Sequence, residues 1–203
     1  AITFLFPEDH DVSKGKLRSC GKAGKDVGIR VVDSEDNDVP IGEVGEVIIQ
    51  SLNNMKGYWN RPEATAESIK NGWFYSGDIG YFDDDGFLYI HDRVKDMIVS
   101  GGENIYPAEV ENALLSHPQI LDAAVIGIPD DKWGEATKAF IVQSEGDPLD
   151  EVEVISYVKT KIAGYKCPKT VEHINELPRN PSGKILRKDL RAPYWEGRER
   201  NVS

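Results

Sequence analysis

Four short stretches hold residue types that can do chemistry. In Tyr75-Ser76-Gly77-Asp78 an aspartate directly follows a Ser-Gly bend after an aromatic run. A carboxylate so placed can accept hydrogen bonds from two adjacent hydroxyls, as proteins commonly do with a ribose, although an Asx-type turn needs the same residues. Asp92-Arg93-Val94-Lys95-Asp96 concentrates alternating charge, which suits either a salt-bridged surface strand or a short exposed joint between two bodies. Ser100-Gly101-Gly102-Glu103-Asn104 opens the main chain to close approach, but matches neither GxGxxG nor a Walker sequence. Pro178-Arg179-Asn180-Pro181-Ser182-Gly183-Lys184 ends a Pro/Gly-constrained loop on a lysine, with the apolar pair Ile185-Leu186 expected as a short strand beyond it. A point charge on such an arm can neutralise charge building up on a phosphoryl centre, or can be an ordinary solvated lysine.

Asp83-Asp84-Asp85-Gly86 invites a calcium-loop reading that its register refuses. With Gly86 at the loop glycine the first ligand position falls on Tyr81, and no helix pattern precedes it. Asp-Gly between apolar alternations predicts a hairpin turn instead. Cys20 and Cys167 are too few and too distant for a disulfide framework or a thiolate-held metal, so no metal site is assigned to this chain.

The elements that must position these residues fall into two regimes. Val27–Val32, Glu46–Ile49, Trp73–Tyr75 and Phe87–Ile90 read as antiparallel strands, with a short helix over Pro62–Lys70. After Lys95 the pattern is mixed: a proline-opened helix over Pro107–Ser116, a strand pair Ala123–Ile128 and Lys138–Gln143 around a turn at Pro129-Asp130-Asp131, and a helix over Asp150–Ile162 stopped by Gly164. The expected fold is therefore α+β, an antiparallel β-barrel-like subdomain over residues 1–94 followed by a small mixed α+β domain over 95–203.

With 203 residues, 39% of them apolar, the chain can close a real core. Its 24 basic and 35 acidic side chains give a net charge of -11, which disfavours an overall grip on nucleic acid or anionic lipid. The excess is uneven: residues 1–92 hold 9 basic and 17 acidic side chains, residues 154–203 hold 11 and 5. The C-terminal quarter is thus suited to an anionic partner, or to a solvated basic face. The longest apolar run, Ala123–Ile128, falls well short of the roughly 18 residues a membrane span needs, and a cytoplasmic setting is expected.

Taken in order, Tyr75-Ser76-Gly77-Asp78, Asp92-Arg93-Val94-Lys95-Asp96-Met97-Ile98, Gly101-Gly102-Glu103-Asn104-Ile105-Tyr106-Pro107-Ala108-Glu109-Val110-Glu111 and Pro181-Ser182-Gly183-Lys184 closely resemble the acyl- and aryl-CoA synthetases of the adenylate-forming superfamily. Pro129-Asp130-Asp131-Lys132-Trp133-Gly134-Glu135 is a further match. The resemblance implies a ligase that joins a carboxylic acid to ATP as an acyl-adenylate and then passes the acyl group to CoA, with a fatty-acid–CoA ligase as the first reading. It assigns Asp78 to the ribose hydroxyls of ATP or AMP, Arg93 to the same nucleotide, Lys95 to the hinge of a mobile C-terminal domain, and Lys184 to catalysis between carboxylate and α-phosphate. Gly101, Gly102, Glu103 and Trp133 would line the CoA pantetheine channel. Lys159, Lys161, Lys166 and Lys169 are candidates for a patch that meets the nucleotide end of CoA.

The family's Ser/Thr/Gly-rich phosphate loop and its Tyr-Gly-x-Thr-Glu segment do not occur in this sequence. The resemblance therefore implies an N-terminal part carrying the acyl pocket, most of the adenine site and the Mg²⁺ ligands as this chain's natural intramolecular partner, without which the chain is expected to be inactive or nearly so. Two other readings stay open: an adenylation domain of another branch, which usually carries aspartate where this chain has Lys95, and a non-catalytic binding module that keeps the fold.

Overall fold

The computed structural model describes residues 1–144, 146 and 148–198. They divide into two compact units, Ala1–Val94 and Lys95 onward.

In the first unit, a two-residue pair of strands, β1 (Thr3–Phe4) and β2 (Lys22–Ala23), precedes a five-stranded antiparallel sheet. Its members are β3 (Val27–Val32), β4 (Gly45–Ser51), β5 (Ile69–Lys70), β6 (Trp73–Phe82) and β7 (Leu88–Arg93), with α1 (Pro62–Ser68) before β5. The ten-residue β6 is the spine, flanked by β4 on one edge and by β5 and then β7 on the other. Alternation along the strands places Val31, Val47 and Leu88 in one core with Ile29, Ile49 and Phe82 against it. An isolated bridge between Gly21 and Leu88 attaches the N-terminal segment to β7, and among the described residues no ladder closes the expected barrel-like sheet. Asp83-Asp84-Asp85-Gly86 is the expected hairpin turn, Asp83 Oδ1 accepting from the amides of Asp85 and Phe87.

The second unit has strands β8 (Ile98–Ser100), β9 (Glu103–Ile105), β10 (Ile120–Asp130), β11 (Gly134–Gln143) and β12 (Thr170–His173), and helices α2 (Pro107–Leu115), α3 (Glu151–Lys159) and α4 (Arg187–Trp195). Sheet order is β10-β11-β8-β9, with β12 joining β11 in parallel. The central hairpin is longer than its apolar runs suggest: Pro129 and Asp130 still pair with Glu135 and Gly134, leaving Asp131-Lys132-Trp133 as the turn. Successive β10 residues face opposite sides. Val125 joins Val110, Leu114, Val154 and Val158 beneath α2 and α3, whereas Ala124 and Ile126 join Phe140 and Leu177 beneath Leu190 and Tyr194 of α4.

The mixed α+β class is as expected, but some local readings are corrected. The helix over Pro62–Lys70 ends at Ser68, because Ile69 and Lys70 pair with Phe74 and Trp73 as β5. Asp150 caps α3, accepting from the amides of Val152 and Glu153, and the helix stops at Lys159 rather than Ile162. Beyond Lys184 the expected strand is a single bridge, Arg179 to Ile185, after which the chain enters α4.

Candidate functional site

Asp78 and Arg93 are opposite one another on the ladder between β6 and β7. Asp78 Oδ1 lies 2.9 Å from Arg93 Nε, so the two residues assigned to one nucleotide are brought together as a cross-strand ion pair. The arginine side chain is 60% exposed and the aspartate 29%. A pair this open to water contributes at most about 1 kcal/mol to stability, so a ligand with its own hydroxyls and charge can replace it at little cost.

A distortion of β6 presents the aspartate. The register between β4 and β6 jumps from Ile48 opposite Tyr75 to Glu46 opposite Ile79, so β6 carries two extra residues over Ser76-Gly77-Asp78. Bulges of this kind re-aim a side chain away from the regular pleat. Gly77 takes φ +69, a left-handed conformation that residues with a Cβ adopt at a cost. Ser76 Oγ donates to the Val47 carbonyl at 2.7 Å and accepts from the Asp78 amide at 3.0 Å. Glu46 Oε1 accepts from the Gly77 amide at 3.1 Å. Burial, with Asp36 and Asp78 adding in the same sense, pushes the Glu46 carboxyl up, against the opposing pull of the Gly77 amide and Lys70. Glu46 was not among the candidates, since only the register shows that it meets the bend.

Lys95 opens the second unit in a single 3-10 turn over Val94–Asp96, and its side chain is exposed. Gly101 and Gly102 are the two central residues of the β8–β9 hairpin, with φ of +63 and +86, which is the twist of a type I′ turn. The turn is held to the β10–β11 turn by the Gly101 amide, which donates to the Trp133 carbonyl at 2.8 Å. A Cβ built on Gly101 would fall 2.7 Å from Cε3 of the Trp133 indole. Three of the four candidate channel residues, Gly101, Gly102 and Trp133, thus form one surface, and Glu103 sits beside them opposite Ser100.

Lys184 is exposed at the end of a turn that Asn180 organises. Asn180 Oδ1 accepts from the Ser182 amide (3.0 Å), the Ser182 hydroxyl (2.8 Å) and the Lys184 amide (2.9 Å), and the Asn180 amide donates back to the Lys184 carbonyl. Arg179 ties this turn to the sheet, donating to the Gly183 carbonyl and to Asp122 Oδ2, both at 2.6 Å. The motif read from the sequence contains Asn180 but assigns it no role. An asparagine two residues before a serine and three before Gly183 is the Asx-turn signature that assigns it one.

Of the four lysines considered for a CoA patch, Lys166 is paired with Glu109 at 2.7 Å. No group of three or more His, Cys, Asp or Glu among the described residues is placed to hold a metal ion. No described helix is long and apolar enough to cross a membrane.

Residues 1–59 match the model of the AMP-binding enzymes, and residues 109–184 that of the AMP-binding enzyme C-terminal domain. The chain belongs to this adenylate-forming family. It is 48% identical over 179 residues to a feruloyl-CoA synthase from an Amycolatopsis species, covering 88% of this chain and 36% of the relative. It is 46% identical over 188 residues to a long-chain-fatty-acid–CoA ligase from Mycobacterium tuberculosis, covering 90% and 37%. Among solved structures, the o-succinylbenzoate CoA synthetase of Bacillus subtilis, in complex with an acyl-adenylate intermediate, superposes with a TM-score of 0.83 at 43% identity, covering 93% of this chain and 38% of that one. The chain therefore spans a little over a third of the length of these relatives.

Proposed function

We propose that this chain supplies the C-terminal part of an AMP-forming acyl-CoA ligase. The carboxylate of an organic acid attacks the α-phosphorus of ATP, pyrophosphate leaves, and an acyl-adenylate forms. The CoA thiol then attacks the acyl carbon, losing its proton, and AMP departs to leave the thioester. A fatty acid is the first acid to test, beside aryl acids, since the named relatives act on both kinds. The expected setting is the cytoplasm, which the two free and separate cysteines suit.

One observation carries this reading: the bulge in β6 sets a carboxylate and a guanidinium at one spot, 2.9 Å apart and open to a ligand. Asp78 accepts from the ribose hydroxyls, and Arg93 turns to the nucleotide once its partner is engaged. Lys184 places its ammonium between the incoming carboxylate and the α-phosphate, two anions that otherwise repel, and stabilises the charge of the crowded transition state. Its turn is internally bonded, so the lysine travels with a defined base rather than on a slack tether. Lys95 is the hinge about which the unit beginning there reorients between the two half-reactions, and Gly101, Gly102, Glu103 and Trp133 then flank the pantetheine arm of CoA. Mg²⁺ would offset the phosphate charge when bound, and its ligands are assigned to the N-terminal part.

The test separates the half-reactions. In the full-length enzyme carrying this sequence, Lys184→Ala should lower adenylation, read as ATP–pyrophosphate exchange, by about 100- to 1,000-fold. Thioester formation from preformed acyl-adenylate should stay within a few-fold. Equal loss in both half-reactions would overturn the reading.

A further inference from the structure

Where α4 meets the start of its own unit, four charged side chains are gathered that none of the assigned roles uses. Arg187 and Arg191 are one helical turn apart on α4 and so project from the same face. Arg191 donates through Nη1 to the Lys95 carbonyl at 3.1 Å and lies through Nη2 3.3 Å from Asp96 Oδ1. Arg187 reaches Asp96 Oδ2 at 3.8 Å and makes a forked contact with Glu111, Nη2 standing 2.8 and 2.7 Å from the two carboxylate oxygens. Glu111 Oε1 also accepts from the Val125 amide at 2.8 Å, which fixes the cluster to the centre of β10. These side chains are between 11% and 21% exposed, so the charges are largely shielded from water and from salt.

The cluster joins two places that the proposed function treats separately. Asp96 and the Lys95 carbonyl belong to the hinge segment, and Arg187 is three residues beyond Lys184, in the first turn of α4. We propose that Arg187 and Arg191 are positioning residues that clamp the Lys95–Asp96 segment to the helix carrying the Lys184 turn. A backbone rotation at Lys95 is then delivered to Lys184 as a rigid displacement instead of being absorbed by local bending. The planar fork of arginine suits this, since it holds a carboxylate and a carbonyl in fixed relative orientation where a lysine ammonium holds a point. This inference rests on the proposed roles of Lys95 and Lys184, but the clamp itself can be read without any reaction.

Two measurements on Arg191→Met test it. Amide hydrogen exchange of this chain should rise several-fold in both residues 95–98 and residues 184–191, with the sheet amides of β10 and β11 unchanged. In the full-length enzyme, kcat for adenylation should fall about tenfold while the KM for ATP, set by the other unit, stays within twofold. Arg191→Lys should recover part of kcat by keeping the charge near Asp96. If Arg191→Met prevents folding, Asp96→Asn takes the charge out of the Arg191 and Arg187 contacts while leaving the Lys95 carbonyl bond, and should raise exchange in the same two segments by a smaller factor. Exchange that rises at one segment alone, or an unchanged kcat, overturns the clamp. Lys184→Ala run alongside keeps the two ideas distinguishable: a full adenylation rate in that variant sinks the functional reading, whereas a lost rate there with a full rate in Arg191→Met sinks the clamp alone.

Discussion

Asp78 is held by residues far away in sequence, and Lys184 by residues within reach of its own turn. The bend that presents Asp78 takes its bonds from Glu46 and Val47, roughly thirty positions back, and its carboxylate faces Arg93 on the next strand. The Lys184 amide is bonded to Asn180, four positions away, and the same asparagine oxygen takes two further bonds within that turn. A site woven into a sheet keeps its geometry as long as the sheet does, which suits a group that must hold one ligand through a reaction. A turn that satisfies its own backbone can be carried from place to place without rebuilding, which suits a group needed in one step and out of place in the next.

The sharpest way to break this contrast is at Asp78. On the proposed reading, Asp78→Ala in the full-length enzyme removes two charge-assisted acceptors from the ribose, and it leaves Arg93 without its cross-strand partner. Because that arginine is largely solvated, the fold should hold while AMP affinity falls on the order of 100-fold by calorimetry. An affinity within threefold of the parent would mean that the bulge presents Asp78 for something other than a nucleotide.

A smaller effect should come from Asn180→Ala, which deletes three hydrogen bonds of the Lys184 turn but leaves the lysine in place. Adenylation should fall about tenfold, much less than for Lys184→Ala, since the ammonium still reaches its target but for a smaller fraction of the time. Asn180→Asp preserves the acceptor and should restore most of the rate. If Asn180→Ala lowers AMP affinity as well, the turn is not the self-contained device described.

How much of this was legible in the sequence depends on the range of the interactions involved. β3 begins and ends where its β-branched alternation does, and the Gly101-Gly102 hairpin and the Asp83 turn follow from local turn chemistry. The four motifs, with the further match around Trp133, supplied the candidate residues through family resemblance, whereas their surroundings required the fold. Nothing in Ser76-Gly77-Asp78 states that β6 gains two residues there, because a bulge is a property of two strands. Helix α4 was hidden by its composition: Arg187, Lys188, Asp189 and Arg191 crowd its start and Pro193 lies inside it, so its apolar stripe reduces to residues such as Leu190 and Tyr194. The basic excess of residues 154–203 also reads differently once pairing is visible. Arg179, Arg187, Arg191 and Lys166 meet Asp122, Glu111, Asp96 and Glu109 within their own unit. Part of that charge therefore holds the domain together, which a count along the chain cannot distinguish from charge offered to a partner.

The smallest expected effect concerns Glu46, and it separates the shape of the Asp78 site from its charge. Burial is the main reason that its carboxyl is pushed above the usual value of 4.5, so the folded unit holds the ionised form less comfortably than the unfolded chain does. A group raised in the fold contributes its stability fully below the unfolded pKa and loses it as pH climbs through the folded one. Glu46→Gln keeps an Oε1 to accept from the Gly77 amide and has no charge to desolvate. At pH 7 it should melt about a degree or two above the parent, a gap that should shrink toward about pH 4. AMP affinity should be unchanged, because Asp78 and its bend are left as they are. A lower melting temperature at pH 7 would show that the Glu46 charge, and not merely its oxygen, holds the bulge in place. Asp78 would then sit in a site whose shape depends on an ionised neighbour, and the contrast with the neutral, asparagine-built turn of Lys184 would become one of charge as well as of range.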